Sequence, residues 1–192
     1  DQRAGRAGRT ESGQAMRLWS AFTHQRLDPS RRPEIERADL CDIILQIYAW
    51  GSHPDQFPWF TPPPNGALAQ ALKTLHQIGA LEEGKLTSIG RTLTALPIHP
   101  RWGRVLLHAK ENDQLNAAAA LAVLTVEDNP YRREGLSTTE AIERVLHNQC
   151  PKRHRSAYLQ MLRALDRPNI SPKPVNSERL AEAFMAGFPD RV

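Results

Sequence analysis

A chain of 192 residues, 40% of them hydrophobic, is long enough for one domain of ordinary size or two small ones with real cores. It has no run of 18 apolar residues and no apolar stretch near its start, which excludes a helical membrane span and a secretory signal, and its two cysteines make no disulfide framework, so a soluble, cytoplasmic protein with no membrane partner is expected. Of 25 basic and 21 acidic residues, positions 1–32 take seven arginines and three acids, leaving 18 of each elsewhere, so the net charge of +4 is local and calls for a local anionic partner.

The chain opens on QRAGRAGR, residues 2–9, with Arg3, Arg6 and Arg9 three positions apart and only alanine and glycine between them. If the run is helical, successive arginines lie about 4.5 Å apart along the axis on nearly one face. Gly5 and Gly8 leave bare backbone beside that face. Each glycine costs a solvated helix about 1 kcal/mol relative to alanine, so the pattern favours a surface pressed against phosphates over a solvated charged tail. The start lacks Met and brings a charged motif with no element before it, and reads as a piece of a longer chain.

Gln14 to Trp19 alternates imperfectly and is expected as a short strand, and the polar stretch Thr23 to Pro33 as loop. In ADLCDIILQIYAWG, Leu40, Ile43, Ile44, Ile47 and Tyr48 recur at helical spacing, Cys41 falls inside the pattern, and Gly51 stands where the helix should stop. Residues 52–66 hold five prolines and predict an ordered loop. Asn65 is expected to cap a helix carrying Leu68, Leu72, Leu75 and Ile78, closed by Gly79. Two short apolar pairs around a glycine turn follow, then a helix from about Ser88 to Ala95. Helix, tight hairpin and helix outline a small winged-helix module.

Pro97 and Pro100 interrupt the pattern, and from Trp102 onward the chain reads as helices. The alanine-rich QLNAAAALAVLTV suits close helix packing, and Ser137 with Glu140 forms a capping box ahead of Ile142, Val145 and Leu146. Tyr158 to Leu165 and Leu180 to Phe188 supply two further apolar faces. The four tryptophans, Trp19, Trp50, Trp59 and Trp102, are read as core.

QRAGRAGR resembles the last helicase motif, QRxGRxGR, of the superfamily 2 helicases, in the form typical of the DEAH/RHA group. PEIERADLCDIIL is similar to that group's entry into its winged helix, TPPPNGALAQALKTLHQIGAL to its proline-led helix, and LTSIGRTLTALPIHPRWGRVLL to its junction into the following bundle. YAWG, the QFPWF loop and the terminal AGFPDRV look more like the bacterial HrpB branch. The resemblance implies a mainly α chain: the end of a second RecA-like α/β lobe (1–32), a winged helix (33–97) and a helical ratchet, or HA2-like, bundle (98–192), cut short at its end. The longer protein would be an ATP-dependent 3′ to 5′ helicase on single-stranded RNA or DNA. These residues would contact its other RecA-like lobe and its C-terminal domain, with ATP and Mg2+ bound mainly elsewhere. Gln2, Arg6 and Arg9 match the motif positions that reach the γ-phosphate, with Arg6 and Arg9 as arginine fingers, while Arg3 is given no catalytic role. By itself the chain, which lacks both a phosphate-binding loop and a DEAH sequence, is expected to hydrolyse nothing.

Three stretches bear on other chemistry. GALEEGKL, residues 79–86, imitates G-x-x-x-x-G-K but ends in Leu86 where a phosphate-binding loop needs Ser or Thr, and it reads as a wing turn. His147, Cys150 and His154 are one ligand short of a structural zinc site, with Pro151 between them, so no metal is expected. From Arg144 to Leu165 there are five basic residues and no acid. Lys152, Arg153 and Arg155, with Tyr158 as a stacking ring, suit a nucleic-acid channel, and the same run also suits a solvated helix face. A non-enzymatic winged-helix binding module is the alternative reading. It calls for a basic recognition helix, and Leu72 to Ile78 carries only Lys73 and His76.

Overall fold

The computed structural model describes residues 4–27, 33–166, 171 and 173–191, and divides into two compact units, residues 1–34 and 35–192. In the first unit Ala4–Arg6 forms one 3-10 turn, after which the chain bends, so Arg6 and Arg9 do not share a continuous helix. Glycines at two of the intervening positions explain the early stop. The segment folds back on itself: a Cβ on Gly13 would lie 1.9 Å from the carbonyl oxygen of Ala7.

The strand expected over residues 14–19 is not formed. A strand needs a neighbour for its backbone groups, none is present among the described residues of this unit, and Met16 and Leu18 are 88% and 90% exposed. The expected loop also needs correction, because α1 spans Ala21–Gln25. Ser20 starts it, its hydroxyl accepting the Thr23 N–H at 3.1 Å, an N-cap that outweighs the polar composition. The rest of that stretch, residues 28–32, lies outside the described residues.

After a 3-10 turn over Glu34–Glu36, the second unit continues with α2, Cys41–Ala49, which with its N-cap buries Leu40, Cys41, Ile44, Leu45 and Ile47 and leaves Ile43 exposed. Gly51 ends it with φ +78°, a conformation that only glycine adopts freely. Residues 52–64 of the proline-rich stretch stay free of helix, its last two residues being taken into the next helix, and Trp59 donates its indole N–H to Pro54 O at 2.9 Å. In α3, Asn65–Gln77, the N-cap is Pro64 and not Asn65, which is already helical and makes no capping bond. The fixed φ of proline suits the helix entry and moves the start one residue back. β1, Leu81–Glu82, and β2, Lys85–Leu86, pair antiparallel with Leu81 opposite Leu86. Glu83 and Gly84 both have positive φ, as a two-residue hairpin turn of this hand requires. α4, Ser88–Thr94, is capped by Thr87, whose hydroxyl accepts the Gly90 N–H and donates to Gly79 O at 2.6 Å. One side chain thus fastens α4 to the end of α3.

The helices that follow are α5, Pro100–Glu111; α6, Leu115–Val126; α7, Thr138–Leu146; α8, Lys152–Ala164; and α9, Ser177–Gly187, with a 3-10 turn over Pro189–Arg191. α6 is buried nearly all round, as its alanines predict, with α5, α7, α8 and α9 against it. Ser137 and Glu140 form both bonds of the capping box on α7. α5 packs along α9, and the buried apolar residues from Leu40 to Ala183 make one cluster that runs through winged helix and bundle alike. Of the tryptophans only Trp102 is core. Trp50, the C-cap of α2, and Trp19, ahead of a five-residue helix with no buried residue, are 69% and 49% exposed, while Trp59 of the proline loop is half-buried and packs against the edge of the core.

Candidate functional site

Gln2 and Arg3 lie outside the described residues. Arg6 and Arg9 are exposed, and neither forms an ion pair with another described residue. A Cβ on Gly5 would meet nothing within 4 Å and one on Gly8 only Glu11 O at 3.9 Å, so there is open space beside both glycines, while Ala7 between the arginines is covered by Gly13 and donates its N–H to Ala4 O at 3.1 Å. Two planar, permanently charged forks at exposed positions can grip phosphate oxygens.

The basic stretch is less uniform than its composition. Lys152 is exposed at the first turn of α8, Arg153 is tied to the carboxylate of Glu127, and Arg155 is half-buried with its guanidinium 5.1 Å from the Tyr158 ring. Tyr158 is not a stacking platform for bases. It is 2% exposed, donates its hydroxyl to Asn116 Oδ1 at 2.6 Å, and belongs to the core face of α8. His154 is also buried, with Nε2 donating to Asp128 O at 2.8 Å.

Two pairings that the sequence does not announce border a cavity of about 560 Å³. Arg101 reaches Asp190 with both terminal nitrogens, and also donates to Thr74 Oγ1 at 3.2 Å and Gly187 O at 3.3 Å. Its guanidinium holds the Asp190 carboxyl below the usual carboxylate range. Asp39 and His99 form the second pair, 3.4 Å apart. The hydrogen bond from His99, with help from Cys41, outweighs burial and keeps Asp39 well below its ordinary range, while burial and the nearby Asp39 push the Cys41 thiol up.

Asp39, Cys41 and His99 bring three ligand-type atoms within 4.8 Å of one another. Their hydrogen bonds argue against a metal centre. His99 Nδ1 accepts the Arg101 N–H at 3.2 Å as the N-cap of α5, which leaves the ring proton on Nε2, directed at Asp39. Ligation through Nε2 would move that proton to Nδ1, where it meets another N–H. The trio joins two helix starts, since Asp39 in turn accepts the Cys41 N–H at 2.8 Å. Because the folded value of Asp39 lies below the unfolded one, its contribution to stability is whole above about pH 4 and is lost as pH falls through the folded value. Asp39→Asn is therefore expected to lower stability at neutral pH, with the gap to wild type closing below about pH 4 in urea unfolding. A gap independent of pH would contradict this role.

Helix, two-stranded wing and helix, leading into a bundle centred on α6, form the architecture of a helicase-associated winged-helix region. Residues 71–98 match the winged-helix family described as helicase associated domain (HA2). The ATP-dependent RNA helicase HrpB of Escherichia coli (strain K12) is 33% identical over 192 residues, covering all of this chain and 22% of that protein. The pre-mRNA-splicing factor ATP-dependent RNA helicase DEAH10 of Arabidopsis thaliana is 38% identical over 134 residues, 68% of this chain and 19% of that protein. A crystal structure of the Escherichia coli DEAH/RHA helicase HrpB superposes with a TM-score of 0.80 at 30% identity, covering 99% of this chain and 23% of that one. The chain belongs to the DEAH/RHA helicases and is of the HrpB type. It spans about a fifth of the length of these relatives.

Proposed function

We propose that the chain is part of an ATP-dependent 3′ to 5′ helicase acting on single-stranded RNA or DNA. The observation that carries this reading is the QRAGRAGR run, with Arg6 and Arg9 exposed, unpaired with any described acid, and with open space beside Gly5 and Gly8. Gln2, Arg6 and Arg9 contact the γ-phosphate of an ATP·Mg2+ held mainly by parts of the protein outside these residues. The two arginines stabilise the charge that spreads over the γ-phosphoryl oxygens during transfer. Residues 1–32 complete a RecA-like lobe, 33–97 are the winged helix and 98–192 the ratchet bundle, in which Lys152 lines the path of the strand while Arg153, tied to Glu127, and the half-buried Arg155 support that face. Alone, the chain turns over no ATP, and the full-length protein works in the cytoplasm.

The relatives named above as ATP-dependent RNA helicases support this reading. A free-standing winged-helix regulator fits less well, because α3 carries Lys73 as its one permanent cation. With ATP and Mg2+, the full-length protein is expected to separate a duplex bearing a 3′ single-stranded tail and to leave a 5′-tailed duplex intact. Equal separation of both would overturn the polarity. Separation of neither, with no stimulated ATP turnover, would overturn the helicase reading.

A further inference from the structure

We propose that Arg132 and Arg133, on the loop between α6 and α7, form with Lys152 of α8 one surface that grips the sugar-phosphate backbone of a single strand. The proposal rests on the reading that the bundle contacts the strand, and adds a second element to that contact. Residues 127–137 would ordinarily be a mobile connection, yet this loop is braced at several points. His154 Nε2 donates to Asp128 O at 2.8 Å, and the Tyr131 hydroxyl donates to Gln149 O at 2.6 Å. Arg153 pairs with Glu127, and Arg144 pairs with Glu134 at 3.2 Å while lying 5.6 Å from the Tyr131 ring. Tyr131 itself is 5% exposed, so the two residues after it leave from anchored backbone beside the first turn of α8.

The same contacts sort the charges. Two of the loop's three acids, Glu127 and Glu134, are engaged by Arg153 and Arg144, which leaves only Asp128 without an ion pair among the described residues. The cations left for a ligand are Arg132, Arg133 and Lys152, all exposed and none ion-paired with a described residue. Arg153, which sequence alone would place in the contact, is spent on holding the loop. With Tyr131 and Tyr158 both buried, the face offers charge without rings. Charge without stacking binds phosphates and reads no base sequence.

The test measures binding of a fluorescein-labelled oligouridylate by the full-length protein across a series of KCl concentrations. Each phosphate contact to a single strand contributes about 0.7 to the slope of log affinity against log salt. The double variant R132Q/R133Q should therefore have a slope shallower by about 1.4, so that between about 50 and 200 mM salt it loses about sevenfold less affinity than wild type. R132K/R133K should keep the wild-type slope, and K152Q should lower it by about 0.7. An unchanged slope in R132Q/R133Q overturns the proposal. If K152Q still lowers the slope in that case, the bundle's contact with the strand stands without the loop; if neither variant changes it, both fail. The substituted side chains are exposed, so thermal melting of the variants should match wild type and exclude misfolding as the cause.

Discussion

Replacing Arg6 or Arg9 by lysine in the full-length protein should lower nucleic-acid-stimulated ATP turnover by about 10³- to 10⁵-fold, and leave nucleotide affinity nearly unchanged. Lysine keeps the charge but presents a compact ammonium in place of a planar fork, so it attracts the ground-state phosphate and fails to match the spread-out transition state. The positions suit this division. Both arginines are exposed, and neither has an ion pair with a described residue that a substitution would break, so a loss of turnover would not stem from misfolding. Turnover at saturating ATP and RNA, set against nucleotide affinity measured separately, decides the matter. Near-normal turnover in both variants would remove the finger role.

Gly90→Ala should destabilise the second unit by about 3 kcal/mol, a fall in melting temperature of about 6–12 °C. Alanine in a helix normally gains about 1 kcal/mol over glycine. Here the added Cβ would lie 2.1 Å from Ala80 O and 2.8 Å from Leu86 Cδ2, and a backbone carbonyl between α3 and β1 cannot retreat as a side chain can. Gly66→Ala is the control: nothing lies within 4 Å of its Cβ position, and it should be neutral or mildly stabilising. Equal melting temperatures for the two variants would show that α4 does not press on the wing as closely as described.

The contrast between these glycines shows what a motif encodes. Gly90 in LTSIGR and Gly187 in AGFPDRV are contact points, the latter with a Cβ position 2.3 Å from Arg101 O. Such motifs were legible as spacing, but their cause lies in a neighbour far along the chain. Elements with a local cause were read well: α2 from its apolar spacing, the wing turn from its glycine, and α7 from Ser137 and Glu140. Where the deciding partner is remote, the sequence was silent. Arg101 and Asp190 are 89 residues apart, and Tyr158 and Asn116 are 42 apart. Tyr158 therefore read as an available ring among cations, although a buried amide had already claimed it. Loop charges show the same blindness, since nothing in PYRREG reveals that Glu134 is taken by Arg144 and that Arg132 and Arg133 are not.

Arg101 touches α3 through Thr74, the end of α9 through Gly187 O, and the final turn through Asp190, while itself rooted in the first turn of α5. One guanidinium thus bonds once to α3, once to the end of α9 and twice to the final turn, so sliding at any of these joints pulls on a side chain that the other two hold in place. Winged helix and bundle are therefore pinned to one another through a single side chain, and a displacement of the end of α9 is expected to be felt at α3.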